Sequence, residues 1–192
     1  MPTQAERTEA TRSRLIATAR RLFAQKGFAE TSTEEILSDA SVSRGALYHH
    51  FPSKTDLFQA TWETVENEVT VAVMNAAAVA PDAKKMLERG FDEFLDQCLN
   101  EEVQRIVMLD GPTVLGWDLW HDLDEQYGLG AIKSVLGLAV EQDVIPATMV
   151  EPLAHLLLGA IMQAGMVVAR AENPGAAKRA MTKTFKRIVD AL

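Results

Sequence analysis

The sequence predicts an all-α protein of nine or ten helices. Apolar residues recur at spacings of three and four, as in Phe58, Trp62, Val65, Val69 and Val73. The period-two alternation of a half-buried strand is absent. Helix start signals (Ser, Asp or Asn ahead of an apolar-periodic run) and stop signals (Gly or Pro behind it) alternate along the chain.

The first helix is expected from about Glu6 to Lys26, with Leu15, Ile16, Ala19, Leu22 and Phe23 on one face and Gly27 at the left-handed cap. Ser32 and Glu35 have the spacing of a capping box, which opens a short helix over Thr33–Ala40. Ser41-Val42-Ser43 is a three-residue turn, and Ser43 caps a second short helix over Arg44–His50. Phe51-Pro52 stops that helix, because proline disfavours helical geometry in the residue before it.

Ser53-Lys54-Thr55-Asp56 starts a long helix to about Val79, and Pro81-Asp82 ends it and caps the next. Leu87, Phe91, Phe94 and Cys98 form the inner face there, and Asn100 caps a helix over Glu101–Asp110. Gly111-Pro112 opens another. Gly128 and Gly130 are expected to separate it from a helix around Ala131–Gln142. The last two helices span about Leu153–Arg170 and the stretch after Asn173-Pro174, where Ala177, Met181, Phe185, Ile188 and Leu192 form a stripe.

The 192 residues are 47% apolar and 24% charged, which excludes a disordered chain or a fibre. One cysteine, Cys98, allows no internal disulfide and reads as a core residue. The start, Met1 to Arg7, lacks an apolar run behind basic residues, so it reads as no export signal and as a cytoplasmic protein. Leu153–Ala169 is apolar but short for a membrane span and contains His155 and Gln163; a buried helix at a subunit contact is the better reading.

Formal net charge is −8, yet it is unevenly spread. Residues 1–55 hold 8 Lys and Arg against 6 Asp and Glu, while residues 56–192 hold 11 against 21. An anion-facing module on an acidic body is the implied division. The two short helices after a long amphipathic one make a helix-turn-helix arrangement. Ile36, Ala40, Val42 and Leu47 face inward, whereas Ser43, Arg44, Tyr48 and His49 face outward with Lys54 just beyond. Gly45 and Ala46 leave room for entry into a major groove ~12 Å wide.

Gly27 through Leu57, GFAETSTEEILSDASVSRGALYHHFPSKTDL, resembles the DNA-binding segment of TetR-type transcriptional regulators. The resemblance is carried by the Gly-aromatic pair, Thr33, Ala40-x-Val42-Ser43, Gly45, Leu47-Tyr48-x-x-Phe51, Lys54 and Leu57. Ser41 departs from it, standing where the family usually has glycine. The resemblance implies a DNA-binding domain over 9–69, with its helix-turn-helix over 32–51, and a ligand-binding and dimerisation domain over 70–192. It implies a homodimer on two-fold operator double-stranded DNA. Ser43, Arg44, Gly45 and Ala46 would lie nearest the bases, and Thr33, Tyr48, His49 and Lys54 at phosphates. Arg7, Arg12 and Arg14 are left open between backbone contact and solvent. Repression relieved by a small apolar or amphipathic effector follows from the same resemblance.

In the body, Phe94, Met108, Trp117, Trp120, His121, Met162 and Met166 are the candidate pocket residues, with Trp117 and Met162 foremost. Asp118, His121, Asp122 and Glu125 read as a solvated helix face, so no metal and no cofactor are expected. The last two helices, about 152–170 and 174–191, are the expected dimer contact, with small residues at Ala160, Ala164, Gly165 and Ala169. No phosphate loop, nucleophile elbow, zinc-protease motif or paired carboxylates in an apolar setting is found, so an enzyme is not expected. The long helix from Lys54 would couple the two halves.

Overall fold

A computed structural model describes residues 3–192; Met1 and Pro2, part of the segment judged for an export signal, lie outside the described residues. All regular structure there is helical. The order is α1 (Gln4–Glu30), α2 (Thr33–Ala40), α3 (Arg44–His50), α4 (Lys54–Ala78), α5 (Ala83–Gln97), α6 (Glu101–Val103), a π-helix (Gln104–Asp110), α7 (Gly111–Leu115), α8 (Trp117–Glu141), a 3-10 turn (Ala147–Met149), α9 (Val150–Arg170) and α10 (Pro174–Asp190).

Helices α1 to α3 form a small head. The caps sit where local chemistry requires them: Ser32, Ser43 and Ser53 each accept a hydrogen bond from the backbone N–H three residues on. Glu35 does not complete the expected capping box, because its carboxylate pairs with Lys26 instead. Gly27 kinks α1 rather than ending it, at φ 82° and ψ 170°. The kink frees the Phe28 N–H, which donates to Asp110 Oδ2 at 2.8 Å. A Cβ at residue 27 would meet that same oxygen at a tight 3.2 Å, but it is the positive φ that calls for glycine. Ser41 takes left-handed geometry, φ 52° and ψ 47°, in the turn between α2 and α3.

Head and body are one packed unit. Phe58 of α4 meets Phe23 and Phe28 of α1 edge-on, with ring centroids 5.3 Å apart in both cases. Arg20 of α1 holds both carboxylate oxygens of Glu68 on α4 and both of Glu102 on α6, at 2.7–2.8 Å. Such bidentate forks fix orientation as well as charge.

Two expectations are corrected in the body. Glu101–Asp110 is not one α-helix: it widens into π geometry after Val103, and Asp110 at its end caps the α1 kink. Gly128 and Gly130 do not break a helix, since α8 runs unbroken from Trp117 to Glu141 and the break lies at Gly116, φ 80°. A Cβ on Gly128 would come within 2.8 Å of Leu158 Cδ1. That glycine serves close approach of α8 and α9, which a local breaker rule cannot register. Helix α9 is long and apolar enough to cross a membrane by length and composition. Here it packs in the body, with Ala154, Leu157, Leu158, Ala164 and Val168 buried.

Candidate nucleic-acid interface and interior cavity

Helix α3 is held by one inward side chain, Leu47, which is buried with Ile36 and Ala40 of α2. Everything opposite Leu47 is presented to solvent. Ser43, Arg44, Gly45, Tyr48 and His49 are exposed, and Ala46 is half-buried. Tyr48 is 45% exposed, an aromatic ring with no core role. A Cβ built on Gly45 meets nothing within 4 Å, so its small size serves no neighbour in this chain. Thr33, at the first position of α2, is half-buried and its hydroxyl makes no hydrogen bond within the described residues.

Apart from Arg20, which ties α1 to the body, the cations of α1 to α3 divide into two sets. Arg21, Lys26 and Arg44 are each paired with a carboxylate, Asp39, Glu35 and Glu34 respectively. Exposed pairs of this kind are worth ~0–1 kcal/mol and exchange readily for another anion. Arg7, Arg12 and Arg14, on the first half of α1, make no ion pair within the described residues. Arg12 lies over the Phe51 ring at the end of α3, 5.5 Å from its centroid, which ties α1 to the exposed helix.

Lys54 is placed differently from an outward phosphate contact. Its Nζ donates to the carbonyls of Phe28 and Thr31 at 2.7 and 2.8 Å, and lies 4.0 Å from the Phe28 ring centroid. The Phe28 carbonyl, in the last turn of α1, also accepts from the Thr31 N–H at 3.3 Å, and Thr31 is the residue that caps the helix. Partial burial lowers the Lys54 pKa. The ammonium closes the C-terminal end of α1 against the start of α4.

Residues 15–61 match the family of bacterial regulatory proteins called tetR, and residues 84–192 match the tetracyclin repressor-like C-terminal domain. The chain belongs to the TetR family. It is accordingly a DNA-binding transcriptional regulator and not an enzyme. Among curated relatives, the transposon Tn10 TetC protein of Escherichia coli is 26% identical over 159 residues, 83% of this chain and 80% of that one. The HTH-type regulator AcrR of Shigella flexneri is 35% identical over 54% of this chain and 48% of its own length. A probable acrEF/envCD operon repressor of E. coli is 47% identical over 62 residues, 30% of this chain and 28% of that one. A TetR-family regulator from Pectobacterium atrosepticum superposes with a TM-score of 0.85 at 29% identity, covering 97% of this chain and 95% of that one. RolR, solved with resorcinol, shares the fold at a TM-score of 0.75 and 19% identity, over 96% and 90% of the two chains.

The body of this TetR-family chain holds a half-open cavity of about 270 Å³ between α4, α5, α8 and α9. Of the seven residues expected to line a pocket, Phe94 and Met162 do so. Met108 and Trp120 are buried elsewhere, Met166 is half-buried outside the lining, and Trp117 is 63% exposed with His121 stacked on it at 5.8 Å. The physical reason is the continuity of α8. Residues 117–121 sit at its far end, and its middle, from Asp124 to Val135, forms the cavity wall.

Two lining residues were not singled out by the sequence reading: Glu66 on α4 and Asp124 on α8. Glu66 is 7% exposed and makes no hydrogen bond within the described residues; Asp124 Oδ2 is buried without a partner. Burial, then the charge of Asp124, pushes the Glu66 carboxyl up to about 8. Burial likewise pushes Asp124 to about 7, partly offset by His121. A signal for Glu66 does exist, since it falls on the stripe of Trp62, Val69 and Val73, where a carboxylate is out of place. Cys98 is buried, its thiol pushed up to about 12 by burial and by Glu66, which leaves it unreactive.

Proposed function

We propose that this chain is a cytoplasmic repressor that leaves its operator when a small molecule fills the interior cavity. The single observation that carries this reading is the double duty of α4. Its first turns, with Lys54, Leu57 and Phe58, pack against α1 in the head, and the same helix lines the cavity from Glu66 to Ala78. A ligand that shifts α4 moves the head. A second contact works in the same direction, because Asp110 at the end of the π-helix caps the Phe28 amide. Relatives point the same way: one is a probable operon repressor, and RolR was solved in complex with resorcinol.

The DNA-binding domain would span 9–69 and the ligand-binding and dimerisation domain 70–192. On DNA, Ser43, Arg44, Gly45 and Ala46 would lie at base edges, Arg44 leaving Glu34 to form a bidentate pair with guanine. Thr33, Tyr48 and His49 would meet phosphates, joined by Arg7, Arg12 and Arg14. Lys54 supports them by fixing the α1–α4 junction. The dimer would form through α9 and α10, where Leu156 is 71% and Ile188 49% exposed and Gly159 and Ala160 allow close approach. Two heads ~34–36 Å apart would fit successive major grooves. A coupling of ~1–3 kcal/mol between cavity and head would change operator affinity ~5–150-fold.

Selection of binding sites from random duplexes, followed by titration at several salt concentrations, tests the reading. The expected result is a two-fold site bound by two chains. Failure of the folded protein to retain any duplex at low ionic strength overturns it.

A further inference from the structure

We propose that the cavity takes an organic cation, an apolar molecule carrying one ammonium group, and seats that group between Glu66 and Asp124. The geometry carries the inference. The wall is apolar and aromatic, including Val69, Phe91 and Phe94, and no lysine, arginine or histidine lines it. Into this setting project a carboxyl that is more than nine-tenths buried with no hydrogen-bond partner and a second carboxyl with an orphan oxygen. A buried polar group without a partner costs free energy, and two acidic ones that feel each other's charge cost more when ionised. An ammonium ion removes both costs, and aromatic faces with methionine sulfur add attraction for a cation. An organic anion would meet two carboxyls and no cationic side chain on the wall. A neutral molecule would leave at least one carboxyl uncompensated.

The inference fixes the ligand class of the proposed effector site and rests on that reading only for the link to DNA. Proton balance follows from the neighbours. Asp124 and Tyr127 on α8 and Cys98 after α5 act on or feel Glu66; His121 and Glu125 flank Asp124; Glu63 lies on α4; α9 contributes no titratable side chain to the wall. Near pH 7 Glu66 retains a proton in the empty cavity, and a bound cation favours the ionised form. Binding therefore releases a proton and tightens as pH rises from 6 to 8.

Calorimetry on the full chain with three matched probes tests this: 4-phenylbutylammonium, 4-phenylbutanol and 4-phenylbutyrate. The ammonium is expected to bind at least about tenfold more tightly than the alcohol at pH 8, and the carboxylate not measurably. Its affinity should fall about tenfold between pH 8 and pH 6, and its heat at pH 7 should vary with the buffer's ionisation enthalpy. Glu66→Gln should abolish the preference for the ammonium over the alcohol; Asp124→Asn should reduce it. Thermal denaturation of both variants checks folding. Equal or tighter binding of the alcohol, binding of the carboxylate, an unchanged ammonium affinity in folded Glu66→Gln, or no binding of any probe overturns the proposal. Cation binding that leaves operator affinity unchanged would refute the effector reading and leave the ligand class standing.

Discussion

The head and the body treat charge in opposite ways. In the head, Arg21, Lys26 and Arg44 are satisfied at the surface by carboxylates that another anion can replace. In the body, the Glu66 carboxyl is buried and pairs with no cation, and Asp124 keeps one oxygen buried without a hydrogen bond, with only His121 near it as an opposing charge. Among the described residues, the four buried polar side-chain atoms without a partner all belong to residues of α4 or α8: Trp62, Trp120, His121 and Asp124. The difference teaches where each half gains on binding. A polyanion at the head exchanges one weak pair for another, so affinity there is salt-dependent and spread over many contacts. A ligand in the body relieves an existing cost, so a few atoms decide the outcome.

The largest expected effect lies in the body. The folded pKa of Glu66 is raised to about 8. Its ionised form is therefore penalised, and stability is lost as pH rises from the ordinary carboxyl range through that value. Glu66→Gln should melt with the parent at pH 4 and be more stable by roughly 2–4 kcal/mol at pH 9, the shift converted at ~1.4 kcal/mol per unit and reduced for relaxation. Coincident stability curves at both pH values would erase the contrast between the two halves.

Lys54→Met comes next. It removes the charged donor shared by the Phe28 and Thr31 carbonyls and should cost about 1.5–3 kcal/mol in denaturant unfolding. DNA affinity should fall for every sequence alike. An unchanged midpoint with weakened DNA binding would make Lys54 a phosphate contact after all.

Arg44→Ala should relax preference at one base position per half-site by about 1–3 kcal/mol, read by binding-site selection. Its stability should stay within ~0.5 kcal/mol, because the pair with Glu34 is exposed. The smallest effect is at Gly45. Alanine there meets nothing within 4 Å and should stabilise α3 by ~0.5–1 kcal/mol while weakening operator binding. A rise in both quantities would take this face of α3 off the DNA.

The head was largely legible because its signals are local. Ser32, Ser43 and Ser53 reach a backbone N–H three residues away, and the turn at Ser41 is decided by its own dihedrals. Partner choice among the same residues was not legible. Glu35 turned to Lys26 rather than to its own backbone, and Lys54 turned inward to the end of α1. In the body, Gly128 looked like a helix breaker and is a point of contact with Leu158, so the pocket candidates shifted along α8.

From its order of residues alone, this protein was committed to an all-helical chain, a reading head near the amino end and an acidic remainder. Those properties depend on periodicity, caps and charge within a few residues of one another. Only the packed structure decided that α8 is continuous, that π geometry carries Asp110 to the α1 kink, and that Glu66 and Asp124 line the same apolar cavity. Each joins side chains dozens of residues apart. Burial and partnership across such distances are set by how helices stack, which no local pattern encodes.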